Sequence, residues 1–307
     1  MTEDRLKVLY VTGFGRSGTT ILDNILGQLN GVFAAGELHY IWDRSLEQNR
    51  LCACGEAFAD CPVWQRVMAK FGDDYEPDTA RLVQLREGLN PRRSITSKLG
   101  VTSLAGSPGV AEYAGAMERL YRAVAEATDS RVVVDSSKSP ALGHLLDAMS
   151  GIEPYVVHLV RDPRAVAFSW LKKKVYDPGG EEPMYMSQHP PARSAKLWLV
   201  WNLTAEMIWG RRTGHYLRVR YEDFTERPRE TLEKVVGLIL DQVPPLPFVG
   251  ATEVNMTRNH SMAGNPSRFE TGTVTIRRDD TWRDQLPAST RRLVTLLTWP
   301  LARRYGY

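Results

Sequence analysis

Runs of β-branched and apolar residues alternate along the chain with segments whose apolar residues recur at helical spacing. The first run covers Lys7 to Thr12, and apolar side chains recur with helical periodicity between Ile21 and Leu29. Similar runs predict four more strands, at residues 31–35, 131–135, 155–160 and 215–220. The chain therefore opens with a strand, a turn and a helix, and it returns to this order further on.

Two of the predicted helices carry start signals. Ser139-Pro140 and Asp162-Pro163 each place a side-chain oxygen at the N-cap and a proline at the first helical position. The second signal predicts a helix over Arg164 to Lys174. Strands that alternate with helices predict an α/β fold of three layers, with a central parallel sheet flanked by helices on both faces. Ligands of such sheets bind at the carboxyl ends of the strands.

Composition narrows the class of protein. With 307 residues, 43% hydrophobic and 24% charged, the chain can form one sizeable α/β domain. The net charge of +3 is too small to indicate nucleic-acid binding. No apolar run is long enough to span a bilayer and no signal-type segment precedes the first strand, so we expect a cytoplasmic protein with no integral membrane segment. The sequence does not indicate the oligomeric state.

Two less regular stretches interrupt the α/β pattern, at residues 40–125 and 172–200. They contain clusters of proline, glycine and polar residues, such as Asp177 to Pro183. We interpret residues 1–307 as a single domain in which these insertions cap the site. Caps of this kind commonly select the substrate and exclude water.

All three cysteines lie in one short segment, at Cys52, Cys54 and Cys61. Zinc would need a fourth ligand, for which His39 is the nearest candidate in the sequence, and this cysteine spacing is unusual for structural zinc. Reduced loop thiols are favoured over a local disulfide or a metal site, because the expected compartment is reducing. We therefore predict no metal.

The turn after the first strand resembles a phosphate-binding loop without its lysine. Gly13 and Gly18 match the spacing G-x-x-x-x-G-K-[ST], but Thr19 stands where nucleotide-hydrolysing proteins place the lysine. Backbone N–H groups and a helix N-terminus still point at an anion, and Arg16 can supply the missing cation. The predicted ligand-binding residues of this loop are Gly15, Arg16, Ser17, Gly18, Thr19 and Thr20.

A second anion site is predicted where the strand at 155–160 ends. Arg161 lies at the strand end and Ser169 lies about two turns into the next helix, so both can face one phosphate. By itself, an arginine here would more often pair with Asp162 or another carboxylate. Together with the lysine-free loop, however, this pair favours the binding of a phosphate.

With these motifs the chain resembles the sulfotransferases that use 3′-phosphoadenosine 5′-phosphosulfate (PAPS), as a bacterial member of that family. The resemblance is most specific at residues 8–38 and 156–170, and it continues more weakly at 132–140, at Tyr221 to Phe224 with Pro228, and at 264–282. It implies a P-loop-type fold in which the first loop holds the 5′-phosphosulfate, while Arg161 and Ser169 hold the 3′-phosphate. It further implies an O-sulfotransferase that passes the sulfuryl group of PAPS to an acceptor hydroxyl, releases 3′-phosphoadenosine 5′-phosphate (PAP) and requires no metal.

Glu37 is the candidate general base, because it follows the predicted strand at 31–35 and lies at the same sheet edge as the loop. Carbohydrate and tyrosylprotein sulfotransferases carry a catalytic glutamate at the matching position. Lys138 resembles the lysine that stabilises the sulfonate and the leaving group in the tyrosylprotein branch, and Arg16 completes the catalytic set. His39 is the alternative base, because the ordinary pKa of histidine suits proton transfer near neutral pH.

In the family a late loop with a basic residue closes over the nucleotide. Arg268 is the candidate for this role. The chain lacks the consecutive Arg-Lys-Gly of the cytosolic branch, so Arg277 or Arg278 could serve instead.

Two other functions stay open at this level. A P-loop small-molecule kinase would bind magnesium through Asp135 at a strand end, although Thr19 in place of the lysine opposes it. A non-catalytic nucleotide-binding module would bind the donor without group transfer. No motif indicates whether the acceptor hydroxyl belongs to a sugar, a lipid, a phenol or a peptide.

Overall fold

The structure is a computed structural model that describes residues 5–89, 108–173, 175–177 and 184–307. Residues 90–107 and 178–183 of the two predicted insertions lie outside the described residues. The same is true of Lys174, the predicted end of the helix that follows Asp162.

Five parallel strands form the central sheet, in the order β2-β3-β1-β4-β7. They are β1 (Leu6–Thr12), β2 (Val32–Gly36), β3 (Val132–Lys138), β4 (Ile152–Val160) and β7 (Tyr216–Arg220). All five strands predicted from the sequence are confirmed. Two small antiparallel pairs accompany the sheet, β5 (Val175–Asp177) with β6 (Met184–Tyr185) and β8 (Glu253–Met256) with β9 (Gly272–Thr275).

Helices cover both faces of the sheet. They are α1 (Thr19–Leu26), α2 (Pro62–Gly72), α3 (Thr79–Leu89), α4 (Pro108–Thr128), α5 (Pro140–His144), α6 (Pro163–Leu171), α7 (Pro191–Trp209), α8 (Tyr221–Glu226), α9 (Pro228–Gly237), α10 (Trp282–Gln285) and α11 (Ala288–Arg304). Short 3₁₀ helices lie at Leu38–Tyr40, Phe58–Asp60, Leu145–Ala148 and Pro266–Phe269, and Ile41–Glu47 forms a turn of π-helix. The predicted three-layer α/β fold is confirmed.

The alternation of side chains along each strand divides the core in two. In β1, Val8 and Tyr10 point toward a cluster with α2, α3, α4, α5 and α7, whereas Leu9 and Val11 point toward a cluster with α1, α8 and α9. All four side chains are almost completely buried, which explains why the strand is apolar without interruption.

Both predicted helix starts are present. The Ser139 hydroxyl accepts a hydrogen bond from the backbone N–H of Leu142, and the Asp162 carboxylate accepts one from that of Arg164. The helix that follows Asp162 ends at Leu171, earlier than predicted, because Lys172 already has an extended backbone.

The order of the strands fixes where a ligand can bind. After β1 the chain builds β2 and β3 on one side of that strand, and it then crosses over to build β4 and β7 on the other side. The carboxyl end of β1 is therefore the point where the strand order reverses, and such points open a crevice above the sheet. The glycine-rich loop lies in this crevice.

Among the helices of the described ranges, none combines the length and the apolar composition that crossing a lipid bilayer requires.

Gly13 can be tested as the position where the loop leaves the sheet. Its φ is +132°, and an added Cβ would overlap the backbone carbonyl of Leu159 on β4. We expect Gly13→Ala to lower the free energy of unfolding by at least ~2 kcal/mol, measured by denaturant unfolding.

Gly115→Ala is the matched control. Gly115 lies within α4, and an added Cβ would meet no atom within 4 Å. Because alanine favours the helix over glycine, we expect this change to stabilise the protein by about 0.5–1 kcal/mol. Equal effects of the two substitutions would contradict the close approach of Gly13 to β4.

Candidate active site

The loop between β1 and α1 has the backbone of an anion-binding turn. Arg16 and Gly18 both have positive φ, at +74° and +92°, and the hydroxyl of Ser17 donates a hydrogen bond to the carbonyl of Phe14 at 2.7 Å. Gly18 is the N-cap of α1, and no described side chain caps this helix. The first N–H groups of α1 are therefore open to an external acceptor.

Arg16 is a partly buried cation whose hydrogen-bonding capacity the described residues satisfy only in part. Its guanidinium lies over the ring of Trp170, 4.9 Å from the centroid, and Nη1 contacts the Met186 sulfur at 3.0 Å. Nε and Nη2 are buried without a hydrogen-bond partner among the described residues. Burial lowers the pKa of Arg16, and the negative charge of Glu37 partly opposes this effect. An anion in the loop would supply the missing acceptors.

Glu37 and Lys138 meet at the same edge of the sheet. Glu37 follows β2, Lys138 ends β3, and the Lys138 ammonium donates a hydrogen bond to Glu37 Oε1. Lys138 has a φ of +70°, and Thr12 Oγ1 holds its backbone carbonyl at 2.8 Å. Such a conformation is costly for a lysine, so the surrounding contacts must hold it in place.

A late segment of the chain closes this edge. Glu37 donates its backbone N–H to the carbonyl of Met262 at 3.0 Å, and the N–H of Asn265 lies 3.4 Å from Thr20 Oγ1. A Cβ on Gly264 would lie 3.6 Å from Thr20 Oγ1 and 3.8 Å from Glu37 Oε1. The first turn of α1 and the Glu37 carboxylate thus flank one small space. Sequence reasoning missed this role of Met262 and Gly264, because it depends on strand-like pairing of Met262 beside Gly36.

Arg268 lies behind this segment rather than at its surface. Only 2% of the residue is exposed, and its guanidinium donates to the carbonyls of Gly264 at 3.5 Å and Leu51 at 3.4 Å. These bonds hold the turn in place. Its predicted contact with a ligand stays a prediction.

Arg161 links the first loop to the second predicted anion site. Its Nη1 donates to the carbonyl of Arg16 at 3.1 Å, and its Nη2 donates to the carbonyl of Asp279 at 3.0 Å. The guanidinium lies 4.3 Å from the centroid of Tyr221 and 3.7 Å from the Asp279 carboxylate. Nε is buried without a partner among the described residues, which leaves one donor for a ligand.

The structure also shows the surroundings of the other residues considered for the second anion site. Asp162 pairs with Arg164 at 2.6 Å, so the carboxylate that contacts Arg161 is that of Asp279 instead. Ser169 lies in α6 and is buried. Of the other late arginines, Arg278 pairs with Asp280, and the carbonyl of Arg277 accepts from the Tyr221 hydroxyl at 3.4 Å.

Asp135 does not offer the free carboxylate that a kinase would need for magnesium. It is 1% exposed and accepts hydrogen bonds from the Tyr121 hydroxyl and from both the hydroxyl and the backbone N–H of Ser137. Burial raises the pKa of Asp135 to about 6. The carboxylate fixes the backbone below Lys138 and is not presented to the crevice.

His39 is a poor alternative base in this environment. It is buried, its ring contacts Tyr40 at a centroid distance of 3.8 Å, and its Nδ1 has no partner among the described residues. Burial lowers the pKa of His39 well below its ordinary value, and the charges of Arg86, Arg44 and Lys138 lower it further. A buried imidazole of such weak basicity is a poor acceptor for the proton of a hydroxyl group.

The three cysteines converge on a histidine that the sequence did not single out. Cys52, Cys54 and Cys61 lie with His260 so that their four potential ligand atoms are all within 4.8 Å of one another. His39, the fourth ligand considered from the sequence, is not part of this group. His260 is 199 residues from Cys61 along the chain, so spacing alone could not connect them.

A family model described as "Sulfotransferase family" matches residues 9–239. The sulfotransferase domain from the Synechococcus PCC 7002 olefin synthase is 21% identical, with a TM-score of 0.49, over 99% of this chain and 96% of that one. The sulfotransferase domain from the curacin biosynthetic pathway is 17% identical, with a TM-score of 0.48, over 95% and 96%.

A sulfotransferase from Alicyclobacillus acidocaldarius is 13% identical, with a TM-score of 0.42, over 96% of this chain and 95% of that chain. No curated protein sequence matches the chain.

Asp23, a buried acid in α1, should make the stability of the protein depend on pH. Asp23 is 1% exposed and its Oδ1 has no partner among the described residues. Burial raises the pKa of Asp23 to about 8, although the positive charge of Lys138 opposes the shift. The folded protein therefore binds this proton more tightly than the unfolded chain, and stability is lost as pH rises from about 4 through about 8.

We expect Asp23→Asn to raise the melting temperature relative to the natural chain, and to do so by a larger amount at about pH 9 than at about pH 5.5. Thermal unfolding at both pH values measures the difference. Asp74→Asn, at an exposed position, is the control and should show no such pH dependence. A constant difference between Asp23→Asn and the natural chain at both pH values would contradict the raised pKa.

Proposed function

The chain belongs to the sulfotransferase family, and from this premise we propose that it is a PAPS-dependent O-sulfotransferase with Glu37 as its general base. The observation that carries the proposal is the position of Glu37. Its carboxylate contacts the Lys138 ammonium and lies across a small space from the first turn of α1, where an anion would bind. A proton acceptor, a cation and an anion site thus meet at one sheet edge.

The first loop would hold the 5′-phosphosulfate of the donor. Among the described residues, no side chain caps α1 and none accepts from Nε or Nη2 of Arg16, and an anionic group of this kind fits both. The remaining residues of the loop, Gly15 and Ser17 to Thr20, would contribute backbone and hydroxyl donors.

The 3′-phosphate would bind at Arg161 and Ser169. Nε of Arg161 has no partner among the described residues and can donate to a phosphate. The contact between Nη2 and the Asp279 carboxylate can be exchanged for a phosphate as well, since the Asp279 side chain is 42% exposed. The backbone bond from Arg161 to Arg16 would then couple the two ends of the donor site. We propose that Arg268 holds the backbone of the late loop, and that this loop closes over the donor.

The chemical step follows from these positions. Glu37 would take the proton of the acceptor hydroxyl while the acceptor oxygen forms a bond to sulfur. The bond between sulfur and the bridging phosphate oxygen breaks, and PAP leaves with the electron pair. By analogy with phosphoryl transfer, the transition state is loose and in line, so positioned charges supply most of the catalysis.

In this scheme Lys138 changes its partner during the reaction, from Glu37 to the group that is transferred. The Lys138 ammonium is held by Glu37 and by the carbonyl of Ser136 at 3.2 Å. Once Glu37 is protonated, the ion pair loses its attraction, and Lys138 can turn its charge toward the sulfonate and the leaving phosphate. The proton transfer to Glu37 would thus free the Lys138 ammonium to stabilise the developing negative charge. No metal ion would be needed at the reacting centre.

Both insertions, at 40–125 and 172–200, are proposed to cap the site. Arg44 from the first lies 4.0 Å from Glu37 Oε2, and Met186 from the second contacts Arg16. The insertions would thus choose among hydroxyl acceptors.

Replacing the proposed base tests the mechanism. We expect Glu37→Gln to lower kcat by about 10²-fold or more with little change in the KM for PAPS, because the amide keeps the shape but cannot accept the proton. The rates are measured as transfer of the labelled sulfuryl group of PAPS to water and to a panel of sugar, lipid, phenol and peptide hydroxyls. Glu47→Gln, at an exposed position of the first insertion, is the control. Unchanged turnover in Glu37→Gln would show that another group is the base.

Replacing the proposed 3′-phosphate ligand tests the donor site. We expect Arg161→Ala to raise the KM for PAPS by about 10-fold or more, as the loss of charge-assisted hydrogen bonds predicts. The exposed Arg229 offers the matched control Arg229→Ala, which should leave this KM unchanged. If Arg161→Ala affects only thermal stability and not the KM, the arginine has a structural role alone.

A further inference from the structure

We propose that Cys52, Cys54, Cys61 and His260 bind one zinc ion, which fastens the loop at residues 51–61 to the segment at 260–268 beside the active site. This site is separate from the proposed sulfuryl transfer and does not depend on it. We call these four residues the metal clip.

The distances within the metal clip fit tetrahedral zinc. Cys61 Sγ lies 3.2 Å and Cys52 Sγ 3.8 Å from His260 Nδ1, and Cys54 Sγ lies 3.7 Å from Cys61 Sγ. Bond lengths of about 2.3 Å for Zn–S and about 2.0–2.1 Å for Zn–N give tetrahedral edges of about 3.8 Å between two sulfurs and about 3.6 Å between sulfur and nitrogen. The four atoms are thus already spaced for one ion with small adjustments.

The donor set also selects the metal. Three thiolates and one imidazole form a Cys₃His site, one of the usual structural zinc sets, and they leave no open position for a substrate. Magnesium and calcium prefer oxygen ligands and would not compete. A disulfide between Cys54 and Cys61 would use two of the four groups and leave Cys52 beside His260 without a role.

The backbone holds the ligands in this arrangement without the metal. Gly55, at a φ of +96°, allows the turn in which its N–H bonds to the carbonyl of Cys52 at 2.9 Å, and this turn lets two closely spaced cysteines face one point. Cys61 immediately precedes α2, and Trp64 in α2 donates its indole N–H to the carbonyl of His260 at 2.8 Å. Cys52 and Cys61 are 1% and 0% exposed, as expected for a closed structural site.

The metal clip is connected to the proposed active site through the backbone that follows His260. The carbonyl of Ser261 accepts from the N–H of Ala53 at 3.1 Å, and Met262 bonds to Ala35 and Glu37 of the sheet edge. Gly264, two residues further on, borders the space between Glu37 and Thr20. A metal bond across 199 residues closes a very long loop, so we expect it to fix this segment more firmly than hydrogen bonds alone.

Metal analysis tests the site directly. The full chain, expressed in zinc-supplemented medium without a histidine tag and purified without chelator, should contain about one zinc per chain by inductively coupled plasma mass spectrometry. We expect His260→Ala to lower the bound zinc about 10-fold or more at a fixed free zinc concentration. His215→Ala, whose ring stacks on Tyr155 away from the metal clip, is the matched control and should keep its zinc.

A second measurement uses the natural chain and does not require the variants to fold. After removal of metal with a chelator, cobalt(II) should give the absorption of thiolate-bound tetrahedral cobalt, saturating at one equivalent and lost on addition of zinc. Zinc should also slow the reaction of the thiols with Ellman's reagent and raise the melting temperature.

Protein that contains no metal and gives no cobalt spectrum would overturn the proposal. A chain mass lower by two hydrogens, with two cysteines resistant to alkylation, would do so as well and would assign a disulfide instead. Neither result would bear on sulfuryl transfer, which is measured separately.

Discussion

The close packing of the first loop against the neighbouring strand is the constraint on which the site depends. Gly13 has no side chain and lies against the carbonyl of Leu159, so the loop can leave β1 in close contact with β4. The turn comes where the strand order reverses, between β3 and β4. As a result, Arg16 from the loop, Lys138 from β3 and Arg161 from β4 reach one edge of the sheet.

The same edge concentrates charges that the fold alone does not satisfy. Arg16 keeps two buried donors without partners among the described residues, and Lys138 has a positive φ. Each of these features costs stability. An anionic ligand would supply acceptors to the unpartnered arginine donors, and transfer of a proton to Glu37 would release Lys138. The cost is thus explained if the site is built for a bound, negatively charged reactant.

The parts of the structure that could be predicted from sequence rest on local patterns. The five strands, the N-caps at Ser139 and Asp162 and the loop from Gly13 to Gly18 each have a signal within a few residues. Glu37 and Lys138 were found because both follow strands, and parallel strands end at one edge. The contacts that could not be predicted join distant segments of the chain. They place Met262 beside Ala35, Arg268 under Gly264, and His260 among the cysteines. The burial of His39, which makes it a weak base, likewise depends on residues far away in the chain.

Calorimetric titration of the natural chain with PAP, 5′-AMP and ATP, in the absence of magnesium, tests the central claim most directly. The claim is that the lysine-free loop and the Arg161 region together hold a nucleotide phosphorylated at both its 5′ and 3′ ends. It predicts that PAP binds at least about 10-fold more tightly than 5′-AMP, because only PAP offers a 3′-phosphate to Arg161, and more tightly than ATP. Binding of ATP that equals or exceeds that of PAP would contradict the claim.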